Sequence, residues 1–329
     1  MEDERRWELG SFLQEIPPVE FCCLYGSALH PNNLDKSSMV DFILGVSDPL
    51  NWHSENLKFN GDHYASWLVH LGGAKLITGV ADNIGVGVHF NPFVTWKDKK
   101  LKYGVVRMHN LVQDLLNWEN FYLSGRLQKP INVLVDNREV RDANPVNLRA
   151  AVSAALLLLP SKFSEGDLYS KICSLSYMGD LRMLFAEDKN KVKKIVQGQF
   201  GLFQTMYKPY LEEYQAKELI RFSSSDGQND RYSQDCGHPA TRSLVSSLPP
   251  LVRSKMGKNL GDEKFFGEMG REVVVGSREE AARCMQKVIR RTVMRSSARQ
   301  AVSGFLAAGG VNATRYLGNK LRKAWRSWT

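Results

Sequence analysis

Residues 21 to 46 constrain this chain more than any other stretch. Phe21-Cys22-Cys23-Leu24-Tyr25 is an apolar run that ends in Gly26-Ser27; after a polar loop, Met39-Val40-Asp41-Phe42-Ile43-Leu44-Gly45-Val46 is a second apolar run with one acid inside it. Short apolar runs bounded by glycine and polar residues read as strands. Alternation then puts Met39, Asp41 and Ile43 on one strand face and Val40, Phe42 and Leu44 on the other. An acid among apolar neighbours is costly to bury unless something binds it. A Gly-Ser turn offers bare N–H groups and a hydroxyl to a phosphate. A carboxylate beside such a turn can hold Mg²⁺ that bridges a polyphosphate. The pair points to a site for a metal nucleotide.

The surrounding pattern is mixed α/β. Strand-like segments recur at 19–25, 39–46, 85–94 and 101–108, and residues 52–71 carry Leu57, Tyr64, Trp67, Leu68 and Leu71 at helical spacing up to a stop at Gly72-Gly73. Residues 1–110 are therefore expected to form an α/β catalytic domain. Residues 111–222 are expected to form a mainly helical second domain, with Ser164 as an N-cap ahead of early acids. Residues 223–280 open on serines and polar residues too poor in apolar content to offset ordering entropy, and are expected to be a linker.

Charge divides the chain sharply. Residues 281–329 hold 11 Lys and Arg and no acid, which leaves 33 of the 44 bases against all 35 acids in the rest. A near-neutral body argues against a body-wide nucleic-acid surface, so no nucleic-acid partner is expected. The tail is amphipathic twice over. Residues 281–305 set Met285, Val288, Ile289 and Val293 on one face beside Arg283, Lys287, Arg290 and Arg291; residues 314–328 repeat the design with Leu317, Leu321, Trp325 and Trp328. Such helices suit an anionic membrane surface. The rival reading is a helix packed on the protein with a solvated basic face. No apolar run approaches the ~20 residues that span a bilayer. Five cysteines without a CxxC pair point to a reducing compartment and no disulfide framework. The start, Met-Glu-Asp-Glu-Arg-Arg, lacks the apolar stretch of a secretory signal, and its acids suit an organelle presequence poorly, so targeting is unsettled by these residues.

Further blocks follow in a fixed order: Asn51-Trp52-His53-Ser54-Glu55-Asn56-Leu57, Gly87-Val88-His89-Phe90-Asn91, Lys102-Tyr103-Gly104-Val105-Val106, Asn117-Trp118 with Tyr122-Leu123-Ser124-Gly125-Arg126-Leu127-Gln128-Lys129-Pro130, and Ser176-Tyr177-Met178-Gly179-Asp180-Leu181-Arg182. With Tyr25-Gly26-Ser27 and Met39-Val40-Asp41-Phe42, they resemble the mitochondrial phosphatidate cytidylyltransferases, the CDP-diacylglycerol synthases of the translocator assembly and maintenance family. The resemblance covers roughly residues 15–210 and returns at 296–300. It implies a nucleotidyltransferase-fold domain followed by a helical, winged-helix-like domain. It also implies Mg²⁺-dependent transfer of CMP from CTP to phosphatidic acid with release of diphosphate. The setting it implies is peripheral, on the matrix side of the mitochondrial inner membrane, in the supply of phosphatidylglycerol and cardiolipin.

On that footing Asp41 holds the metal, and Tyr25, Gly26 and Ser27 meet the triphosphate. His53 and Lys58, on a helix opening at Trp52, are placed to reach it. Arg126 and Lys129 flank a glycine before Pro130 and form a rigid, phosphate-seeking turn. Asp180, with Arg182 beside it, is expected to complete the metal or nucleotide site from the second domain. The wider superfamily places a second acid two residues after the first, where this chain has Ile43; Asp48, Glu55, Asp82, Asp114 and Asp180 are the acids open for that role. Two other classes compete: an RNA-directed nucleotidyltransferase using the basic tail, and a non-enzymatic maintenance factor of the inner membrane.

Overall fold

A computed structural model describes residues 8–26, 39–181, 183, 190–223, 231–259 and 276–309. Ser27, Arg182 and the basic stretch 314–328 lie outside the described residues.

The first apolar run is strand β1 (Phe21–Tyr25) and the second is β2 (Val40–Val46). Asp48 then caps helix α1 (Pro49–Phe59), its side chain accepting from the Leu50 N–H at 3.0 Å with Pro49 at the first helical position. Short helix α2 (Ser66–Leu71) ends at the Gly72 stop, and α3 (Gly73–Gly79) starts directly after it. Strands β3 (Val88–Trp96) and β4 (Lys99–Arg107) form a hairpin, and β4 runs into helix α4 (Met108–Asn117) and the one-turn helix α5 (Ser124–Leu127). Strand β5 (Asn132–Val135) closes the sheet, whose order is β3-β4-β2-β1-β5. β2 and β4 pair in parallel; the other neighbours are antiparallel. The four expected strands are all present. β5 lies within the stretch expected to be helical, so the sheet draws in chain beyond residue 110.

The sheet has an apolar cluster on each face. Phe12, Val40, Phe42, Leu44, Leu101, Tyr103 and Val105 pack on one side with Trp52 of α1. Phe21, Cys23, Ile43, Phe90 and Val106 pack on the other with Leu111 and Leu115 of α4 and Leu127 of α5. The cysteines Cys22 and Cys23 are buried and free, within this layer.

The helical unit begins with α6 (Arg138–Leu158), followed by β6 (Lys162–Ser164), α7 (Glu165–Leu175), α8 (Lys191–Gly198) and α9 (Phe200–Ala216). Ser164 and Asp167 form a reciprocal capping box at the start of α7, as the serine-acid pattern anticipated. β7 (Ile220–Ser223) and β8 (Arg231–Gln234) join β6 in a second sheet of order β6-β8-β7. Much of the expected linker is regular: residues 238–246 and 250–259 are helices α10 (His238–Ser246) and α11 (Pro250–Asn259). Their few apolar residues are well spaced, and Leu244, Val245, Leu248, Val252 and Met256 are buried in the helical core.

Helix α12 (Arg278–Ala308) corrects one expectation. Ala281, Met285, Val288, Ile289 and Val293 do share a face, but that face is buried in the helical core. Burial of each of Met285, Val288, Ile289 and Val293 is worth ~1.5–3 kcal/mol, so the protein, not lipid, receives them. Farther along, α12 crosses to the five-stranded sheet. Gln300 Nε2 donates to the Val88 carbonyl at 3.3 Å, and Arg299 donates to the carbonyls of Ile84, Asp82 and Asn83 at 3.1–3.3 Å. Trp67 Nε1 donates to the Leu306 carbonyl at 3.0 Å. Arg283, Lys287, Arg290 and Arg291 are exposed, as the rival reading required. Among the described residues no helix is long and apolar enough to cross a membrane.

Candidate active site

The strand registers set Asp41 between two polar neighbours. Tyr25 of β1 lies opposite it on one side and Lys102 of β4 on the other. Gly26 follows Tyr25 with φ +93°, in the left-handed region that favours glycine, and a Cβ there would stand 3.0 Å from Asp41 Oδ2. The turn and the carboxylate therefore lie side by side, with little room for a side chain between them. The Asp41 side chain is 23% exposed, neither sealed nor free in solvent.

Lys102 joins these residues although its block, Lys102-Tyr103-Gly104-Val105-Val106, carries no phosphate-binding motif of its own. Its Nζ lies 3.5 Å from Asp41 Oδ1 and 4.5 Å from the centre of the Phe90 ring. Phe90 can lie there because its register partner is Gly104, where a Cβ would fall 2.4 Å from the ring. The signal was legible: Leu101, Tyr103 and Val105 point to one face, which isolates Lys102 as the cation on the face of Asp41.

Arg126 approaches from α5. Its guanidinium lies 3.7 Å from the Tyr122 ring centre and 5.4 Å from that of Tyr25. It also donates to the Tyr122 carbonyl. Burial pushes the Tyr25 hydroxyl up to about 12, with Lys102 and Arg126 pulling it down and Asp41 pushing it up. That hydroxyl is buried and meets no hydrogen-bond partner among the described residues. Asp114 holds this turn in shape. It is 4% exposed, and it accepts from the N–H groups of Asn120, Phe121, Tyr122, Leu123 and Ser124 at 2.8–3.1 Å and from the Ser124 hydroxyl at 3.1 Å.

Lys129 lies one turn on. It donates to the Gly125 carbonyl at 2.5 Å and to Ser176 Oγ at 2.8 Å, and its Nζ is 5.0 Å from the Tyr177 ring centre. Lys191 of α8 reaches the same ring at 5.3 Å. The 176–180 turn is thus brought to α5. Gly179, with φ +80°, rests against α12, where a Cβ would meet the Arg290 carbonyl at 2.9 Å. Asp180 is 2% exposed.

The structure does not bring His53 or Lys58 to this face. His53 is 1% exposed on the opposite side of the sheet, with Nδ1 2.9 Å from Tyr64 Oη. Burial, then the neighbouring His89, holds its pKa well below the ordinary range, so it stays neutral. Lys58 is exposed in the last turn of α1, the helix whose Trp52 belongs to the same opposite side. Of the other acids considered as metal ligands, Asp48 is a helix cap, Glu55 lies 3.4 Å from Asn51 Nδ2, Asp82 lies beside the α12 contact and Asp114 is saturated by N–H groups.

No group of three His, Cys, Asp or Glu that could hold a metal ion is present among the described residues. One half-open carboxylate does fit Mg²⁺ in the mode in which substrate phosphates supply much of the coordination. A lone acid at a glycine turn, with Lys102 against it and Arg126 over the neighbouring Tyr25 ring, can receive a polyphosphate on an α/β scaffold. The family model for mitochondrial phosphatidate cytidylyltransferase matches residues 9–323. Proteins of that name include one from Mus musculus, 34% identical over 317 residues that cover 92% of this chain and 90% of its own length. Another from Danio rerio is 37% identical over 300 residues, covering 88% and 85%. A third from Schizosaccharomyces pombe is 31% identical over 319 residues, covering 93% and 80%. The protein is thus placed in the nucleotidyltransferase class of enzymes. Its chain belongs to the mitochondrial phosphatidate cytidylyltransferase family.

Proposed function

We propose that this protein transfers CMP from CTP to phosphatidic acid, giving CDP-diacylglycerol and diphosphate. The contact between Asp41 and the Gly26 turn is the observation that carries the reading. A phosphate monoester is already anionic near neutral pH, so the lipid nucleophile needs alignment more than deprotonation. One of its oxygens attacks the α-phosphorus of CTP, the bond to the bridging oxygen of the β-phosphate breaks, and diphosphate leaves with the electron pair. Gly26, with Ser27, supplies N–H groups to the triphosphate, and Arg126 and Lys129 offset the charge of the phosphates. Asp41 would hold Mg²⁺. When bound, that ion neutralises phosphate charge and keeps the displacement in line. The burial of Asp180 supports a part in fixing the 176–180 turn beside Lys129 more than direct contact with a metal; Arg182 is proposed to assist there.

The sheet with its glycine turn supports a nucleotidyltransferase fold, and the helices around the second, three-stranded sheet support a winged-helix-like unit. The location proposed is peripheral, on the matrix side of the inner membrane, with residues beyond Gly309 and the exposed bases of α12 meeting anionic lipid. The test is direct. Purified protein with CTP, Mg²⁺ and phosphatidate should yield CDP-diacylglycerol, and Asp41→Asn should lose that product while keeping its thermal melt. Full turnover by the variant would remove Asp41 from the mechanism. Incorporation of CMP into RNA in place of lipid would favour the RNA-directed alternative. A chain ending at Gly309 should bind anionic vesicles less well; unchanged binding would remove the tail from the membrane contact.

A further inference from the structure

Asp41 faces a cation of its own chain. Lys102 and Asp41 are register partners on parallel strands, and their charged atoms lie 3.5 Å apart. Both side chains are about three-quarters buried, at 24% and 23% exposure, so water screens the pair only in part. The Lys102 ammonium also lies 4.5 Å from the centre of the Phe90 ring, which needs Gly104 beneath it. The carboxylate that would hold a divalent ion is therefore paired with a lysine whose ammonium also touches a ring face.

We propose that Lys102 is a phosphate-binding residue that occupies the Asp41 carboxylate until the nucleotide arrives, and then turns its ammonium to the triphosphate as the divalent ion takes its place. The proposal rests on the assignment of Asp41 to the metal. A lysine and a dication cannot both sit at one carboxylate without strong repulsion, unless further negative charge joins them. A triphosphate brings that charge. Lys102 thus makes metal binding depend on nucleotide binding, and by linkage each must strengthen the other. Lysine suits the task, because its flexible stem lets a compact charge move between two anions a few ångströms apart. Tyr25 and Arg126, on the other side of Asp41, are held by ring stacking and by the Asp114-bound turn and lack this freedom.

The test uses the full chain and two titrations. Mn²⁺ is titrated without nucleotide, by its paramagnetic signal, and CTP is titrated with Mg²⁺ by calorimetry. Lys102→Met keeps an unbranched apolar side chain of similar length and removes the charge. It should tighten Mn²⁺ binding about threefold or more while weakening CTP about tenfold, as expected for removal of one charge-assisted contact. Lys102→Arg, which keeps the charge, should leave Mn²⁺ binding weak, and it serves in place of the methionine variant if that one fails to fold. CTP affinity unchanged in Lys102→Met would overturn the phosphate role. Mn²⁺ binding weakened or unchanged there would overturn the exchange, as would Mn²⁺ bound tightly by Lys102→Arg. Asp41→Asn separates this from the underlying assignment: Mn²⁺ binding that survives in it shows that Asp41 is not the metal site at all.

Discussion

The two faces of the five-stranded sheet each carry a polar cluster, and they differ in one respect that matters. On the face of Asp41 the groups are charged, partly open and drawn from β1, β2, β4 and α5. On the other, His53, Asn56, Tyr64, His89, Asn91 and Tyr103 form a sealed, neutral network. Asn56 Nδ2 donates to Tyr64 Oη at 2.8 Å and to Tyr103 Oη at 2.9 Å, and His89 Nε2 lies 3.1 Å from Asn91 Oδ1. His53 and His89 meet edge to face with ring centres 5.2 Å apart. Both clusters come from blocks that resemble one family, yet only the first keeps the charge and access that phosphate chemistry needs.

The strongest way to break this contrast is to exchange charge for shape on the open face. Asp41→Asn should lower turnover about 10²–10³-fold, the scale of a lost electrostatic contact, while the melt stays put. An equal loss from His53→Gln, measured on folded protein, would erase the distinction between the faces. Next in size is a loss of stability. Asp114→Ala would leave five N–H groups and the turn bearing Arg126 without their acceptor, and should cost about 3–5 kcal/mol in denaturant unfolding.

The sealed face should show itself by pH. Burial, against the bond from Asn91, lowers the His89 pKa from 6.5 to about 4, and His53 falls in the same direction. Unfolded histidines gain protons as pH drops through 6.5, whereas the folded pair does not until far lower. The contribution of His89 is whole above that point and fades from there down to about pH 4, with a slope of about 1.4 kcal/mol per pH unit, and His53 adds to the decline in the same direction. His89→Gln should flatten the decline in unfolding experiments by one histidine's share. The smallest effect belongs to Lys58→Ala: as an exposed change on the helix of the sealed side, it should alter stability by under ~0.5 kcal/mol and leave CTP affinity in place.

Much of the architecture was legible in the sequence because glycine, proline and asparagine punctuate the first four strands. β5 was not, since Asn132-Val133-Leu134-Val135 is four residues long and only pairing with β1 makes it a strand. α10 and α11 were hidden by low average apolarity, although Leu244, Leu248, Val252 and Met256 fall at helical intervals. The closeness of Asp41 to Gly26 followed from alternation and a turn. His53 misled because a motif fixes the order of residues and not the side of the sheet on which each one lands. The apolar stripe of 281–305 misled for a related reason: a hydrophobic face states that it must be covered and does not name the cover.

Helix α12 also decides how this protein can be cut. Its first half completes the helical core and its second half is fastened to β3 and to the segment before it, so one rod stitches the two halves together. Removing everything from residue 281 would unstitch them, and any drop in vesicle attachment would then report collapse of the molecule. A truncation that stops after Gly309 spares the seam and isolates the adhesive end.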